Sequence, residues 1–205
     1  MVKKLILFLL VSLVSLSAFA EFRFGPMIGI NGSSLFWKQD LVTTHYKIGG
    51  SAGMLGEIMI PGIGFGVDIG LRYQLNGAKV NFGERPVWGG APDYMGNEDV
   101  WFHTLQIPLN LRFKYTRLDG FERILAPFAF AGPVFNFNLS TNKIPVIEYP
   151  EGNVEIQVGA GAELFEHLQI SGGYYWGVSY QVRTLKLDNF SARPQGWFIN
   201  AAWLF

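Results

Sequence analysis

Apolar and polar residues alternate with a period of two along most of this chain. In "GIGFGVDIGLRYQL", Ile63, Phe65, Val67, Ile69, Leu71 and Tyr73 hold one parity, and Gly64, Gly66, Asp68, Gly70, Arg72 and Gln74 hold the other. Side chains two apart on a strand share a face, so the segment predicts a strand with one apolar side and one small or polar side. "TLQIPLNLRFKY", "VEIQVGAGAELF" and "LQISGGYYWGVSYQV" repeat the pattern; in the first three of the four segments the charges stay on the face opposite the large apolar residues, and the last carries no charge at all. The final run, "QGWFINAAWLF", puts Trp197, Ile199, Ala201, Trp203 and Phe205 on one wholly apolar face. Noisier alternation predicts strands in 22–31, 47–60 and 124–138. In the last of these, Phe128, Phe130 and Val134 share a parity that Phe135 and Phe137 break, so a bulge is expected after Pro133. The total is eight strands.

Their connections alternate in length. Pro61-Gly62, "RLDGFER" and the turn at Glu166 are short, whereas 32–46, 75–99, 140–152 and 183–193 are long. Such an order is expected when one end of a barrel carries tight turns and the other carries loops.

The first twenty residues, "MVKKLILFLLVSLVSLSAFA", set Lys3 and Lys4 before an apolar stretch and end on Ala18 and Ala20 in an A-x-A arrangement. This predicts a secretory signal peptide at 1–20, cleaved after Ala20, and a mature domain over 21–205. The apolar stretch is shorter than the roughly 20 residues that a bilayer-spanning helix requires.

Composition then settles which solvent the apolar faces meet. Charged residues make up 16% of the chain and aromatic residues another 16%, too few charges for an ordinary soluble surface. There are no cysteines, so an exported chain must hold together by packing and backbone pairing. Lys+Arg and Asp+Glu both number 16, and this zero net charge gives no footprint for nucleic acid. An apolar, exported chain without a spanning helix predicts an all-β fold: an eight-stranded antiparallel up-and-down transmembrane β-barrel, apolar outward and polar inward. A lipocalin-like soluble barrel shares the periodicity but needs a charged exterior, which neither face provides.

"LQIPLNLRFKY", "PFAFAGPVFNF", "VGAGAELF" and "LQISGGYYWGVS" resemble, in order, the strand signatures of the PorT-like outer-membrane β-barrel proteins, a group similar to OmpX in architecture. The resemblance covers roughly Phe22 to Phe205. It implies an eight-stranded barrel in the bacterial outer membrane and, since one member serves the type IX secretion and gliding apparatus, an accessory barrel of a secretion system as an alternative role. In outer-membrane barrels generally, a C-terminal Phe on such a last strand resembles the signal read by the barrel-assembly machinery, which makes Trp203 and Phe205 the candidate assembly signal.

Eight strands enclose a lumen just wide enough to be filled by side chains. Counted from the predicted turns, Glu57, Asp68 and Arg112 fall at similar depth, Lys114 and Glu163 slightly lower, and Arg72 and Glu155 in the upper half. Unpaired charges are costly there, so these seven are expected to neutralise each other in a plug-like network, with an ion or proton path as the alternative. Enzyme chemistry would need a nucleophile and a base: His45 and His103 come within reach of Ser33, Ser34 and Asp99, but no local motif supports a lipid A acyltransferase or deacylase. No residue spacing indicates a metal site or a cofactor. In the loop "NGAKVNFGERPVWGGAPDYMGNEDV", Arg85, Trp88 and Tyr94 are candidate contacts for a partner. The partners expected are outer-membrane lipids and lipopolysaccharide, the barrel-assembly machinery, and an extracellular or envelope protein. The function expected is non-enzymatic.

Overall fold

The computed structural model describes residues 21–37, 43–60, 62–81, 97–115, 120–141, 147–184 and 191–205. Where lipid lies outside and a narrow polar lumen inside, alternation makes a strand, and closure leaves no edge unpaired. Eight long strands form the wall: β1 (Glu21–Trp37), β2 (Thr43–Met59), β3 (Phe65–Asn81), β4 (Asn97–Lys114), β5 (Leu125–Thr141), β7 (Gly152–Leu164), β8 (Leu168–Gly177) and β10 (Ser191–Trp203). Each pairs antiparallel with its neighbour in the chain, and β10 closes on β1 from Met27↔Ala202 to Trp37↔Ala192. Two short strands, β6 (Ile147–Glu148) and β9 (Val182–Thr184), pair with each other, and β9 continues onto β10. Among the described residues no helix is long and apolar enough to cross a membrane.

The burial pattern shows which solvent each face meets. Leu111 is 72% exposed, and Ile69 and Leu71 about half, while Asp68, Arg72 and Arg112 on the opposite parity are at most 3% exposed. Apolar outside and charged inside is the arrangement of a wall standing in lipid.

The short ends are built from left-handed backbone. Gly62 (φ +81°) and Gly120 (φ +94°) take the turns after β2 and before the 3-10 turn Phe121–Arg123, at conformations that L side chains rarely adopt. Between β7 and β8 both central residues, Phe165 (φ 52°) and Glu166 (φ 63°), are left-handed without being glycine. Such strain persists only where surroundings over-determine it. Here Phe165 N donates to Ile124 O at 3.1 Å, and an Arg23 guanidinium nitrogen donates to Glu166 O at 2.6 Å.

Two sequence expectations are corrected. Strand β5 has no bulge between Pro133 and Phe137, because it pairs with β7 without a shift from Leu125↔Leu164 to Phe137↔Gly152. Phe128 and Phe130 instead face the lumen, and Phe135 and Phe137 face out. The irregularities lie between Tyr46 and Ser51 on β2, and opposite His103 and Thr104, where β5 carries Leu139 as an extra residue between Asn138 and Ser140. The second correction concerns the long loops, whose beginnings and ends are strand: β1 and β2 run on to Trp37 and back from Thr43, and β3 and β4 to Asn81 and from Asn97. The reason is a reversal of polarity above the lipid. There the lumen parity becomes apolar, and Leu35, Trp37, Val80, Val100, Phe102 and Val182 pack together as a core.

Candidate functional site

The lumen is filled in four layers, read upward from the short-turn end. The floor is ionic. Arg112 donates from Nε to Asp68 at 2.8 Å and from a terminal nitrogen to Glu57 at 2.6 Å. Lys114 donates to Glu57 at 2.7 Å and Glu163 at 2.8 Å, and Gln169 donates to both carboxylates at 2.7 Å. The structure thus brings five of the seven expected lumen charges into one contact network. It adds Arg23 on β1, which lies 2.6 Å from both Glu57 and Glu163. Three cations meet three carboxylates, so the floor is neutral and its partners satisfy most of the lone pairs that burial would otherwise strand. Arg112 also lies 4.0 Å from the centre of the Phe128 ring. Arg23 could have been found from the sequence, since it occupies the parity opposite Phe22 and Phe24.

Beneath the floor a cavity of about 370 Å³ opens toward the short turns, lined by Glu21, Arg23, Met59, Lys114, Glu122 and Glu166 among others. Above the floor, Phe128, Phe130, Tyr175 and Phe198 form an aromatic layer. Glycine makes room for it: a Cβ at Gly159 would lie 2.5 Å from the Phe130 ring, and one at Gly161 2.6 Å from the Phe128 ring. The small face of β7 and β8 is therefore half of a shape whose other half is aromatic.

The third layer is polar. Arg72 donates to Gln106 at 2.6 Å and to Gln157 at 3.3 Å, and Asn31 donates to Asn76 at 3.0 Å. Arg72 and Glu155 stand apart from the floor and, among the described residues, make no ion pair with each other within 4 Å. The fourth layer is the apolar core above the lipid, where Tyr149, between β6 and β7, packs edge-on against Phe102 with ring centres 5.8 Å apart.

The remaining candidates are not gathered into one site. His103 is hydrogen-bonded through Nδ1 to the Tyr73 hydroxyl, and His45 is exposed. The Ser33 hydroxyl bonds the backbone of Gly77, and Ser34 donates to Thr44. Asp99 pairs with Lys47 at 2.9 Å. The two serines are buried and engaged elsewhere, so no nucleophile–base pair forms among these five residues. Trp203 is exposed on the lipid face, and Phe205, 69% exposed, donates its backbone N–H to Phe24 at 2.9 Å. Arg85, Trp88 and Tyr94 lie outside the described residues.

A closed eight-stranded wall, apolar outside and packed with polar and aromatic side chains inside, defines a small outer-membrane barrel. The family model described as the outer membrane protein beta-barrel domain matches residues 15–180, and the chain belongs to that family. Its place is the bacterial outer membrane. Among solved structures, the chain is similar to the outer membrane protein OprG of Pseudomonas aeruginosa, at 11% identity over 90% of this chain and 95% of that one, with a TM-score of 0.52. It is also similar to Ail, the attachment invasion locus protein of Yersinia pestis, in complex with the heparin analogue sucrose octasulfate, at 14% identity over 90% and 99% of the two chains and a TM-score of 0.46. The outer membrane enzyme PagL matches at 11% identity over 84% and 97%, with a TM-score of 0.39. At these identities the likeness is one of fold. No curated protein matches the chain in sequence.

Proposed function

We propose that this protein is a non-enzymatic, non-conducting barrel that supports the envelope or binds partners through its outer end. One observation carries the reading: the lumen is closed twice, by the neutral ionic floor around Glu57 and Arg112 and by the apolar core around Val100 and Phe102. A barrel of eight strands has no spare width to route solute around either closure. Arg85, Trp88 and Tyr94 are the residues we assign to contact with lipopolysaccharide or with an extracellular or envelope protein. Residues 1–20 act as a signal peptide cleaved near Ala20, and Trp203 with Phe205 as the signal for the barrel-assembly machinery. The lipid-modifying alternative lacks support from the geometry, because Ser33 and Ser34 are buried and bonded to Gly77 and Thr44.

Two measurements test this. Planar-bilayer recordings of the purified protein should give no large stable conductance, and mass spectrometry of lipid A from cells with and without the gene should give the same species. A persistent pore overturns the non-conducting reading; a changed acylation pattern overturns the non-enzymatic one.

A further inference from the structure

Three outward side chains stand in one row across the upper wall. His45 on β2 is the cross-strand partner of Lys79 on β3, Lys79 is that of Asp99 on β4, and all three are exposed. The row owes its outward position on β2 to the irregularity between Tyr46 and Ser51. There four residues of β2 oppose three of β3, and one extra residue exchanges the faces of a strand. Odd positions therefore face the lumen at Ser51 and Leu55 but face out at Lys47 and His45. One row down, Lys47 lies across Gly77, with its ammonium 3.5 Å from the centre of the Trp101 ring and 2.9 Å from the Asp99 carboxylate. Gly77 has to be small for this, since a Cβ there would lie 2.9 Å from Lys47 Cδ and 3.2 Å from the Trp101 ring.

Height narrows the choice of ligand. A tilted strand climbs about 2.5 Å per residue, so Lys79 stands about 35 Å above Phe65 on the same strand, and an apolar band of about 25 Å ends below it. The row is at the depth of the outer leaflet's headgroups. Charge narrows the choice further. Asp99 is paired with Lys47, and among the described residues Lys79 makes no ion pair within 4 Å, which leaves the patch one cation in excess. Near this height β1 and β5 expose Phe36 and Leu139 instead, so the charge does not run round the whole wall. We infer that His45, Lys79, Asp99 and Trp101 dock the phosphorylated sugar headgroup of lipopolysaccharide from the outer leaflet. Lys79 pairs with a phosphate, to which His45 adds a ring N–H. Asp99, more than half exposed, accepts a sugar hydroxyl, and the partly exposed Trp101 ring offers apolar surface to the sugar's C–H groups. Lys47 holds the Trp101 ring and the carboxylate in place before the ligand arrives, which lowers the ordering cost of binding. The inference rests on the proposed reading that the outer end meets lipopolysaccharide, and adds a contact on the wall to those assigned to Arg85, Trp88 and Tyr94.

The test uses the protein refolded into zwitterionic detergent micelles without lipid, titrated with purified lipopolysaccharide in the same detergent. The wild type should bind saturably, and lipopolysaccharide stripped of its phosphates should bind at least tenfold more weakly. Lys79→Ala should weaken binding of the phosphorylated form at least fivefold and Lys79→Glu further. Asp99→Ala should weaken both forms by the same factor, whereas Arg123→Ala, which removes an exposed cation at the short-turn end, should match the wild type. Heat-modifiable gel migration reports that each variant is a closed barrel. Unchanged affinity in folded Lys79→Ala and Asp99→Ala overturns the inference; if joint replacement of Arg85, Trp88 and Tyr94 by Ala then abolishes binding, the loop contact stands and the wall site alone falls. Equal binding of phosphatidylglycerol also overturns it, since any anionic lipid would then serve. No saturable binding by the wild type overturns the wall site and the lipopolysaccharide part of the proposed function together.

Discussion

Asp68 and Arg112 face each other across the β3–β4 boundary, with Arg112 Nε 2.8 Å from the Asp68 carboxylate, and both are at most 3% exposed. Glu57 would keep Lys114 and Arg23 if Arg112 were lost, but Arg112 is the one ion-pair partner of Asp68 among the described residues. Arg112→Ala should therefore destabilise the barrel by about 3–5 kcal/mol, chiefly by stranding Asp68. Asp68→Asn in the same chain should recover part of that loss. Urea unfolding in detergent of the two single variants and the double variant closes the cycle. Additive losses would show that the two side chains are not energetically coupled.

Two glycines on neighbouring strands should respond oppositely to a methyl group. A Cβ at Gly159 meets the Phe130 ring at 2.5 Å and Gly172 O at 2.7 Å, whereas a Cβ at Gly172 finds nothing closer than 3.4 Å. Overpacking costs typically about 1–3 kcal/mol, so Gly159→Ala should lower stability by that order while Gly172→Ala leaves it nearly unchanged. Equal effects would mean that the aromatic layer yields more easily than its packing implies.

The alternation of β3, β4, β7, β8 and β10 was legible because lipid and lumen impose opposite demands on the two faces of every strand. Asp68, Arg72 and Arg112 could be placed by parity alone. Phe128 and Phe130 could not, because what admits them to the lumen is Gly161 and Gly159 on the next strand, and cross-strand complementarity leaves no trace in one strand's pattern. The upper core was hidden for a related reason. Leu35, Val80 and Val100 sit on the lumen parity, where the lower strand is polar, so a reader expecting one rule for the whole strand sees a loop.

The upper core makes its own prediction. Phe102 is 1% exposed, at the centre of an apolar group above the lipid, and truncating a buried Phe to Ala costs about 3–5 kcal/mol. With no native cysteine, a single reporter at Asn76→Cys can sense entry from outside. It should resist a membrane-impermeant thiol reagent in intact cells and become reactive when Phe102→Ala is added. Rapid labelling in the otherwise unaltered protein would show that the outer closure is not one.

Phe205 separates packing from recognition. Its backbone continues the β10–β1 seam through the bond to Phe24 O, while its ring lies on the lipid face. Deleting it should cost refolding into micelles only the lost apolar burial, at most about 1.5–3 kcal/mol for such a side chain. If the assembly machinery also reads the ring, insertion in cells should fall much further than refolding does. The two are compared by quantifying heat-modifiable barrel in outer membranes and in micelles for the wild type and the deletion. A proportionate loss in both would leave Phe205 as a packing residue alone. Undiminished insertion in cells would show that the machinery recognises this strand by some other feature, with the exposed ring of Trp203, two residues back on the same face, as the next residue to remove.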